Sequence, residues 1–208
     1  MTLPEQSLQT FLDQLASGEA VPGGGSVAAL SGSLAASLVA MVCRLTIGKK
    51  GYEAESAEME TLVPRAEMLQ RELRDLMQAD IDAYARVMDA YKLSKETDAQ
   101  KSARTFAIQA ALKHASDVPM IVAEKCAAIL DLAQSIAARG NKNAASDAAV
   151  GALMAEAGLR GAAFNVSINL GSIKDETYSN EKRARVAQLV ARAAQIKSEI
   201  LTTVEGRM

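Results

Sequence analysis

An apolar segment from Val27 to Ile47 limits the folding of this chain more than any other feature. Its only charged residue is Arg44, and it is long enough to cross a bilayer. No second long apolar stretch follows it, and small residues interrupt it, namely Ser31, Gly32, Ser33 and Ser37. A helix that other helices surround has this pattern. We therefore predict a buried central helix, with a membrane span as the alternative.

The composition favours an all-α fold. Of the 208 residues, 49% are hydrophobic, but only 3% are aromatic and none is Trp, so Ala, Leu, Val, Ile and Met must fill the core. We predict a single domain over residues 1–208, built as a multihelical array around the buried central apolar helix. The net charge is −2 with both signs scattered, so we expect no nucleic-acid partner. The N-terminus lacks the pattern of a signal peptide, which favours a cytoplasmic protein.

Apolar residues at steps of three and four predict the other helices. Ser7 is a candidate N-cap for the first helix, and Ser26 for the central helix that follows the turn Pro22–Ser26. Pro119 suits the first turn of a helix, so we expect the preceding helix to end near Asp117. The remaining helices are expected beyond Pro64, after caps at Ser146 and Asp147, and from Asp175 to Val204.

The sequence predicts no metal site. Cys43 and Cys126 lie in apolar segments without the spacing of metal ligands, and His114 has no nearby His or Cys. The two thiols are therefore expected to be buried and inert.

One carboxylate, Asp80, lies on an apolar helix face. This face carries residues at steps of three or four, namely Leu69, Leu73, Leu76, Asp80, Tyr84, Val87 and Tyr91. Asp82 lies roughly 200° further around the helix and is expected on the opposite side. An inward carboxylate must form an ion pair, take up a proton or meet a ligand. An ion pair with Arg44 or a Lys and a role in catalysis both remain open.

Further polar features interrupt the amphipathic pattern. The glycines of the turn at 22–26 leave backbone N–H groups free for an anion or a polar heterocycle, although their spacing matches neither a P-loop nor a dinucleotide motif. The pair Lys49–Lys50 follows the central helix, where capping and solubility would also explain it. Asn165 and Asn169 lie on a glycine-lined face, which indicates either a ligand or a closely packed helix with interhelical hydrogen bonds.

Several motifs together resemble the formiminotransferase-cyclodeaminase C-terminal family. They are Pro22–Ala29, Thr46–Lys50, Gly140–Asn141 with Ser146–Asp147, and Phe164–Val166 with Asn169–Leu170. The resemblance covers nearly the whole chain. Because no formiminotransferase half is present, and because Thr46–Lys50 looks more like the free-standing methenyltetrahydrofolate cyclohydrolases of the family, we favour that group. The resemblance implies an all-helical homodimer that binds a reduced folate, and we expect no further cofactor.

The activity that this resemblance implies is hydrolysis of 5,10-methenyltetrahydrofolate to 10-formyltetrahydrofolate. Asp80 would then stabilise the cation or activate water, and Lys49 would shuttle a proton or polarise the attacking group. Asp147 would be the acid–base residue instead, or would anchor the pterin ring. The other candidates for binding the substrate are Gly23, Gly24, Gly25, Ser26, Lys50, Tyr84, Asn141, Asn143, Ser146, Asn165 and Asn169.

Among the binding candidates, Lys50 would meet the glutamate tail and Tyr84 would stack against a ring. Two other functions remain open. The same acid–base residues would serve a formiminotetrahydrofolate cyclodeaminase, which releases ammonia. A helical interaction module that has lost catalysis would keep the fold and bind no reduced folate.

Overall fold

Six α-helices form the architecture in the computed structural model, which describes residues 2–208. Short 3-10 turns at Leu3–Glu5 and Lys142–Ala144 accompany them, and no strand occurs in this range. The all-α prediction is therefore confirmed. The helices are α1 Leu8–Leu15, α2 Gly24–Arg44, α3 Ser56–Lys92, α4 Asp98–Arg139, α5 Ala145–Leu170 and α6 Glu176–Glu205.

Helix α2 is the central helix that the apolar segment predicts. Helices α3, α4 and α5 all pack against it. By length and composition α2 would cross a membrane, but 61% of its most apolar window is buried inside the protein. Small residues permit this close packing: a Cβ added at Gly32 would lie 2.6 Å from Cys126 Sγ. Its burial is that of a core helix.

Helix α5 runs antiparallel to α2 at very short range. A Cβ at Gly158 would lie 2.8 Å from the carbonyl oxygen of Ala28, whereas one at Gly151 would lie 3.5 Å from Leu38 Cβ. Glycine at position 158 thus allows two backbones to approach each other, which a larger residue would prevent. Close helix packing explains these α5 glycines.

Two prolines lie inside helices rather than at their starts. Helix α3 begins eight residues before Pro64, and α4 continues through Pro119, so the two helices expected around Pro119 are one. A proline lacks an N–H and leaves the carbonyl four residues earlier unpaired, here that of Ala115. Asn169 Nδ2 donates to this oxygen over 2.6 Å. A side chain from α5 therefore replaces the missing helical hydrogen bond.

The helix starts follow the predicted caps only in part. Ser7 Oγ accepts a hydrogen bond from the Thr10 N–H over 3.1 Å, as predicted. Asp175, predicted as the start of the last helix, is the N-cap of α6. The expected caps at Ser26, Ser146 and Asp147 are wrong, because α2 begins at Gly24 and α5 at Ala145. These three side chains lie inside the first turns and are available for other contacts.

The two cysteines are buried, as predicted. Desolvation raises the pKa of the Cys43 thiol to about 11 and that of Cys126 to about 12. Both thiols therefore remain protonated at neutral pH, which makes them poor nucleophiles.

Candidate functional site

A cleft of about 270 Å³ opens at the N-terminal end of α2. Helices α3, α4 and α5 and the turn before α2 form its walls. The lining residues are Ala20, Val21, Gly23, Gly24, Gly25, Asp80, Ala83, Tyr84, Val87, Leu112, Ala115, Asn165 and Asn169.

The cleft brings together many of the predicted site residues. Seven of them line it, namely Gly23, Gly24, Gly25, Asp80, Tyr84, Asn165 and Asn169. They come from three separate stretches of sequence, because the antiparallel helices bring the start of α2 beside the end of α5 and the middle of α3. Ser26 is buried next to them and contacts Asp80.

Asp80 is partly buried and has one side-chain hydrogen-bond partner. Ser26 Oγ lies 3.3 Å from Asp80 Oδ2 and 3.0 Å from the carbonyl oxygen of Met77, and it donates to these acceptors. Burial raises the pKa of the Asp80 carboxyl, although its hydrogen bonds with Ser26 act in the opposite direction. Asp82, in contrast, is exposed, as the helical spacing predicts.

Within residues 2–208, Asp80 lacks the structural ion pair that would have explained its position. Arg44 pairs with Glu67 instead, and no Lys, Arg or His forms a salt bridge with Asp80 within residues 2–208. Of the explanations for an inward carboxylate, uptake of a proton or contact with a ligand remain. Both suit a group that transfers protons.

Gly25 leaves room for the Asp80 carboxylate. A Cβ at position 25 would overlap Asp80 Oδ1 and would lie 2.5 Å from Asp80 Cγ, closer than atoms of this kind approach. Glycine at this position therefore lets the carboxylate contact the start of α2 in its observed position. Free N–H groups in this first turn favour negative charge.

The two asparagines have different structural partners. Asn165 Nδ2 donates to the carbonyl oxygen of Gly161 in its own helix over 2.8 Å, while Asn169 spans to Ala115 in α4. The interhelical hydrogen bond considered for both residues is thus correct for Asn169 alone. Both side chains still line the cleft and offer further amide atoms to a ligand.

The other six predicted residues lie away from this cleft. Lys49 and Lys50 follow the C-terminal end of α2, Asn141 and Asn143 lie between α4 and α5, and Ser146 and Asp147 lie in the first turn of α5. Helix α2 has 21 residues and is about 30 Å long, so these residues lie near the opposite end of the molecule. Asn141 is buried, and its Nδ2 donates to the Leu45 carbonyl oxygen over 3.1 Å. The catalytic and binding roles expected of all six remain predictions.

The sequence-based site omitted the apolar walls of the cleft. Ala83 and Val87 follow Asp80 by three and seven residues, so the same helical spacing would have found them. Leu112 and Ala115 carry no such signal, because they are ordinary apolar residues on a different helix. Their position depends on how α4 packs.

The lining combines one carboxylate, one aromatic ring, two amides and exposed backbone amides with apolar walls. Such a cleft suits a planar polar heterocycle, which meets apolar walls on its faces and polar groups at its edge. No group of three or more His, Cys, Asp or Glu side chains within residues 2–208 is placed to hold a metal ion. The chemistry available to these side chains is proton transfer and electrostatic stabilisation.

A known protein family matches most of this chain. The model of the formiminotransferase-cyclodeaminase family matches residues 7–188. The chain belongs to this family. The matched region contains every residue that lines the cleft and all six predicted site residues at the other end of α2.

Both a cyclohydrolase and cyclodeaminases of this family are similar to this chain. A methenyltetrahydrofolate cyclohydrolase of Methylorubrum extorquens is 42% identical over 203 residues, which are 98% of each chain. A formimidoyltransferase-cyclodeaminase of Rattus norvegicus is 34% identical, but the match covers only 38% of that longer protein. The crystal structure of formiminotetrahydrofolate cyclodeaminase from Thermotoga maritima superposes with a TM-score of 0.87, at 33% identity and 97% coverage of both chains.

Proposed function

We propose that this protein hydrolyses 5,10-methenyltetrahydrofolate to 10-formyltetrahydrofolate. The observation that carries the proposal is the partly buried Asp80 carboxyl, which faces a cleft and has no cationic partner among the described residues. The similarity to a methenyltetrahydrofolate cyclohydrolase along almost the whole of both chains supports this activity over others in the family.

The reaction begins with attack of water on the cationic carbon that bridges N5 and N10. The Asp80 carboxylate takes a proton from this water, and a tetrahedral adduct forms. The bond from carbon to N5 then breaks, N5 takes up a proton, and the hydroxyl of the adduct loses its proton to become the formyl oxygen. The net change consumes one water and releases one proton.

The environment of Asp80 suits this role. A carboxylate whose pKa is raised by burial is a stronger base once it is ionised, and it also stabilises the cationic substrate more strongly than it would in water. Ser26 orients it through the hydrogen bond to Oδ2. Tyr84 and the amides of Asn165 and Asn169 then contact the pterin ring from two sides of the cleft.

Cyclodeamination is the second candidate, since formimidoyltransferase-cyclodeaminases and a solved cyclodeaminase are also similar to this chain. In that reaction the cleft delivers a proton to the amino group that leaves formiminotetrahydrofolate as ammonia. Asp80 would serve as the acid. A helical module that binds no reduced folate is the non-catalytic alternative.

The loss of methenyltetrahydrofolate absorbance at mildly alkaline pH tests the proposal, after subtraction of spontaneous hydrolysis. We expect Asp80→Asn to lower the rate by roughly 10²–10⁴-fold while the fold is retained. Asp82→Asn is the matched control, because Asp82 is exposed on the same helix and lies two residues away. This control is expected to keep the wild-type rate.

Other outcomes identify the alternatives. Absence of a rate above background, together with ammonia release from formiminotetrahydrofolate, would make the protein a cyclodeaminase. If calorimetry detects no binding of any reduced folate, the non-catalytic interaction module would be the remaining alternative. Equal rates for Asp80→Asn and wild type would remove Asp80 from the mechanism.

A homodimer is also part of the proposal. Four large apolar residues of α2 and its C-terminal cap, Val27, Leu34, Met41 and Leu45, are 36–48% exposed, although this helix is the most apolar of the fold. Val150, Leu153 and Phe164 of the neighbouring α5 extend the exposed apolar surface. Exposed apolar residues on two neighbouring helices indicate a protein interface, and a second copy of this chain covers them in the proposed dimer.

The remaining expectations complete the proposed function. We propose that the protein acts in the cytoplasm, without a metal or other cofactor, and that it has no nucleic-acid or membrane partner. The scattered charges and the core position of α2 support the last two points.

A further inference from the structure

The cleft contains a carboxylate but no cation. Asp80 and Tyr84 are its only titratable lining residues within the described part of the chain. The proposed reaction also returns a proton to the leaving nitrogen, a step that a second proton-transferring group would serve, and a reduced folate carries carboxylates in its tail. One subunit offers Asp80 alone for both proton transfers and offers no cation for the tail.

Cationic side chains that could also transfer a proton are present at the other end of α2. They lie in a segment that we call the lysine corner, which comprises residues 46–51 and 141–147. Thr46 Oγ1 accepts from the Asn141 N–H over 2.9 Å, and Tyr52 Oη accepts from the Lys142 N–H over 2.9 Å. These bonds fix the corner to the start of α5. Neither Lys49 nor Lys50 has a salt bridge within residues 2–208.

The exposed face of α2 between the cleft and the lysine corner has an internal symmetry. Leu34 is the middle residue of the 21 that form the helix, and it is 47% exposed. Val27 and Met41 are each seven residues from it, and both are exposed. Leu30 and Leu38, partly buried, are each four residues away. Exposed and partly buried apolar residues thus occur at the same distances in sequence on both sides of Leu34.

A two-fold axis at Leu34, perpendicular to α2, uses this symmetry. The two copies of α2 then run antiparallel, and Val27 faces Met41 of the partner subunit, as an isologous interface requires. Continued beyond the helix, the same register places Leu45 of the partner subunit beside Gly23. The next residues of the partner, its lysine corner, then reach the turn that lines the cleft.

We propose that the active site is shared, with Asp80 from one subunit and the partner's Lys49 completing it. The partner's Lys49 supplies the cation and the second proton-transferring group that the cleft lacks. Charge favours this arrangement, since it brings a lysine pair to a carboxylate. A parallel pairing would instead place two lysine pairs together. The inference rests on the proposed hydrolysis and on the dimer.

Complementation between two inactive variants tests the shared site. Subunits with Asp80→Asn and subunits with Lys49→Ala carry different affinity tags, are co-expressed, and the mixed dimer is purified through both tags. Each parent homodimer is expected to be inactive. The mixed dimer should regain about half of the wild-type rate, because one of its two sites contains neither substitution. An active Lys49→Ala homodimer, or a mixed dimer as inactive as its parents, overturns the proposal.

Cross-linking tests the arrangement without any assay of activity. Under mild oxidation, Leu34→Cys is expected to form a disulfide between subunits, since position 34 meets its own copy on the axis. Leu45→Cys, which is equally exposed, should not, because it faces Gly23 of the partner subunit. Cross-linking of Leu45→Cys overturns the antiparallel dimer. These results remain decisive even if the wild-type protein does not hydrolyse methenyltetrahydrofolate.

Discussion

The Asp80 carboxyl lies beside the first turn of α2, where burial raises its pKa. Because the folded state holds its proton more tightly than the unfolded state, folding stability falls as pH rises through the raised pKa. In a subunit without a cation beside Asp80, the charged form therefore destabilises the fold at neutral pH. Such destabilisation is common where a residue is placed for function rather than for stability.

In the Lys49→Ala background, which removes the cation proposed for the shared site, we expect Asp80→Asn to raise the melting temperature at neutral pH, because the amide keeps the shape and removes the partly buried charge. The difference from Lys49→Ala alone should shrink in acid, where Asp80 is protonated. Melting curves from acidic to neutral pH measure this. Asp82→Asn, the exposed control, is expected to show no such pattern, and a lower melting temperature for Asp80→Asn in this background at neutral pH would contradict the argument.

The absence of a side chain at Gly25 provides the space in which the Asp80 carboxylate lies. In Gly25→Ala the new Cβ would collide with Asp80 Oδ1, and the flexible end of Asp80 would move. We expect a rate lower by on the order of 10²-fold, because small displacements of a catalytic group have effects of this size. Steady-state kinetics and circular dichroism measure rate and folding. The control is Gly18→Ala, which meets no atom within 4 Å and should behave as wild type.

At the scale of helices, the path of α4 depends on a contact from α5. Pro119 removes the hydrogen bond that the Ala115 carbonyl would otherwise accept, and Asn169 replaces it. Asn169 thus lines the cleft and also holds α4 against α5. The same side chain therefore contributes to the binding site and to the stability of the fold.

Asn169→Ala should lower the unfolding free energy by about 1–3 kcal/mol, since a buried carbonyl loses its partner. In the background of Pro119→Ala the loss is expected to be smaller, because the substituted residue supplies a backbone N–H to the same carbonyl. A double-mutant cycle by chemical denaturation measures the coupling. Equal losses in both backgrounds would show that Asn169 does not compensate for Pro119.

At the scale of the whole molecule, the exposed apolar face of α2 and α5 requires an explanation. Leu34→Glu places two like charges at the proposed axis, which opposes association by several kcal/mol. We expect sedimentation equilibrium to show a folded monomer with little activity. Ile121→Glu is the control, because Ile121 is similarly exposed on α4 and should leave the dimer intact. A wild-type chain that sediments as a monomer would contradict the dimer directly.

The local pattern of the sequence was sufficient for the all-α class and for one side of the site. An α-helix repeats every 3.6 residues whatever surrounds it, so the spacing placed Asp80 and Tyr84 on one face and Asp82 on another. The long apolar segment likewise indicated α2 as the central helix. The glycines of α5 left close packing and a ligand as alternatives, and the structure shows the close packing. These properties depend on neighbours within a few residues.

Tertiary structure decided the rest, because it depends on which faces pack and in which direction each helix runs. Pro119 does not end a helix here, since Asn169 reaches its unpaired carbonyl from 54 residues away in sequence. Ser26 contacts Asp80 instead of capping α2. Lys49 follows the end of α2 opposite to the cleft, because this helix of 21 residues, about 30 Å long, separates its two ends. The spacing of residues along the chain does not indicate such long-range positions.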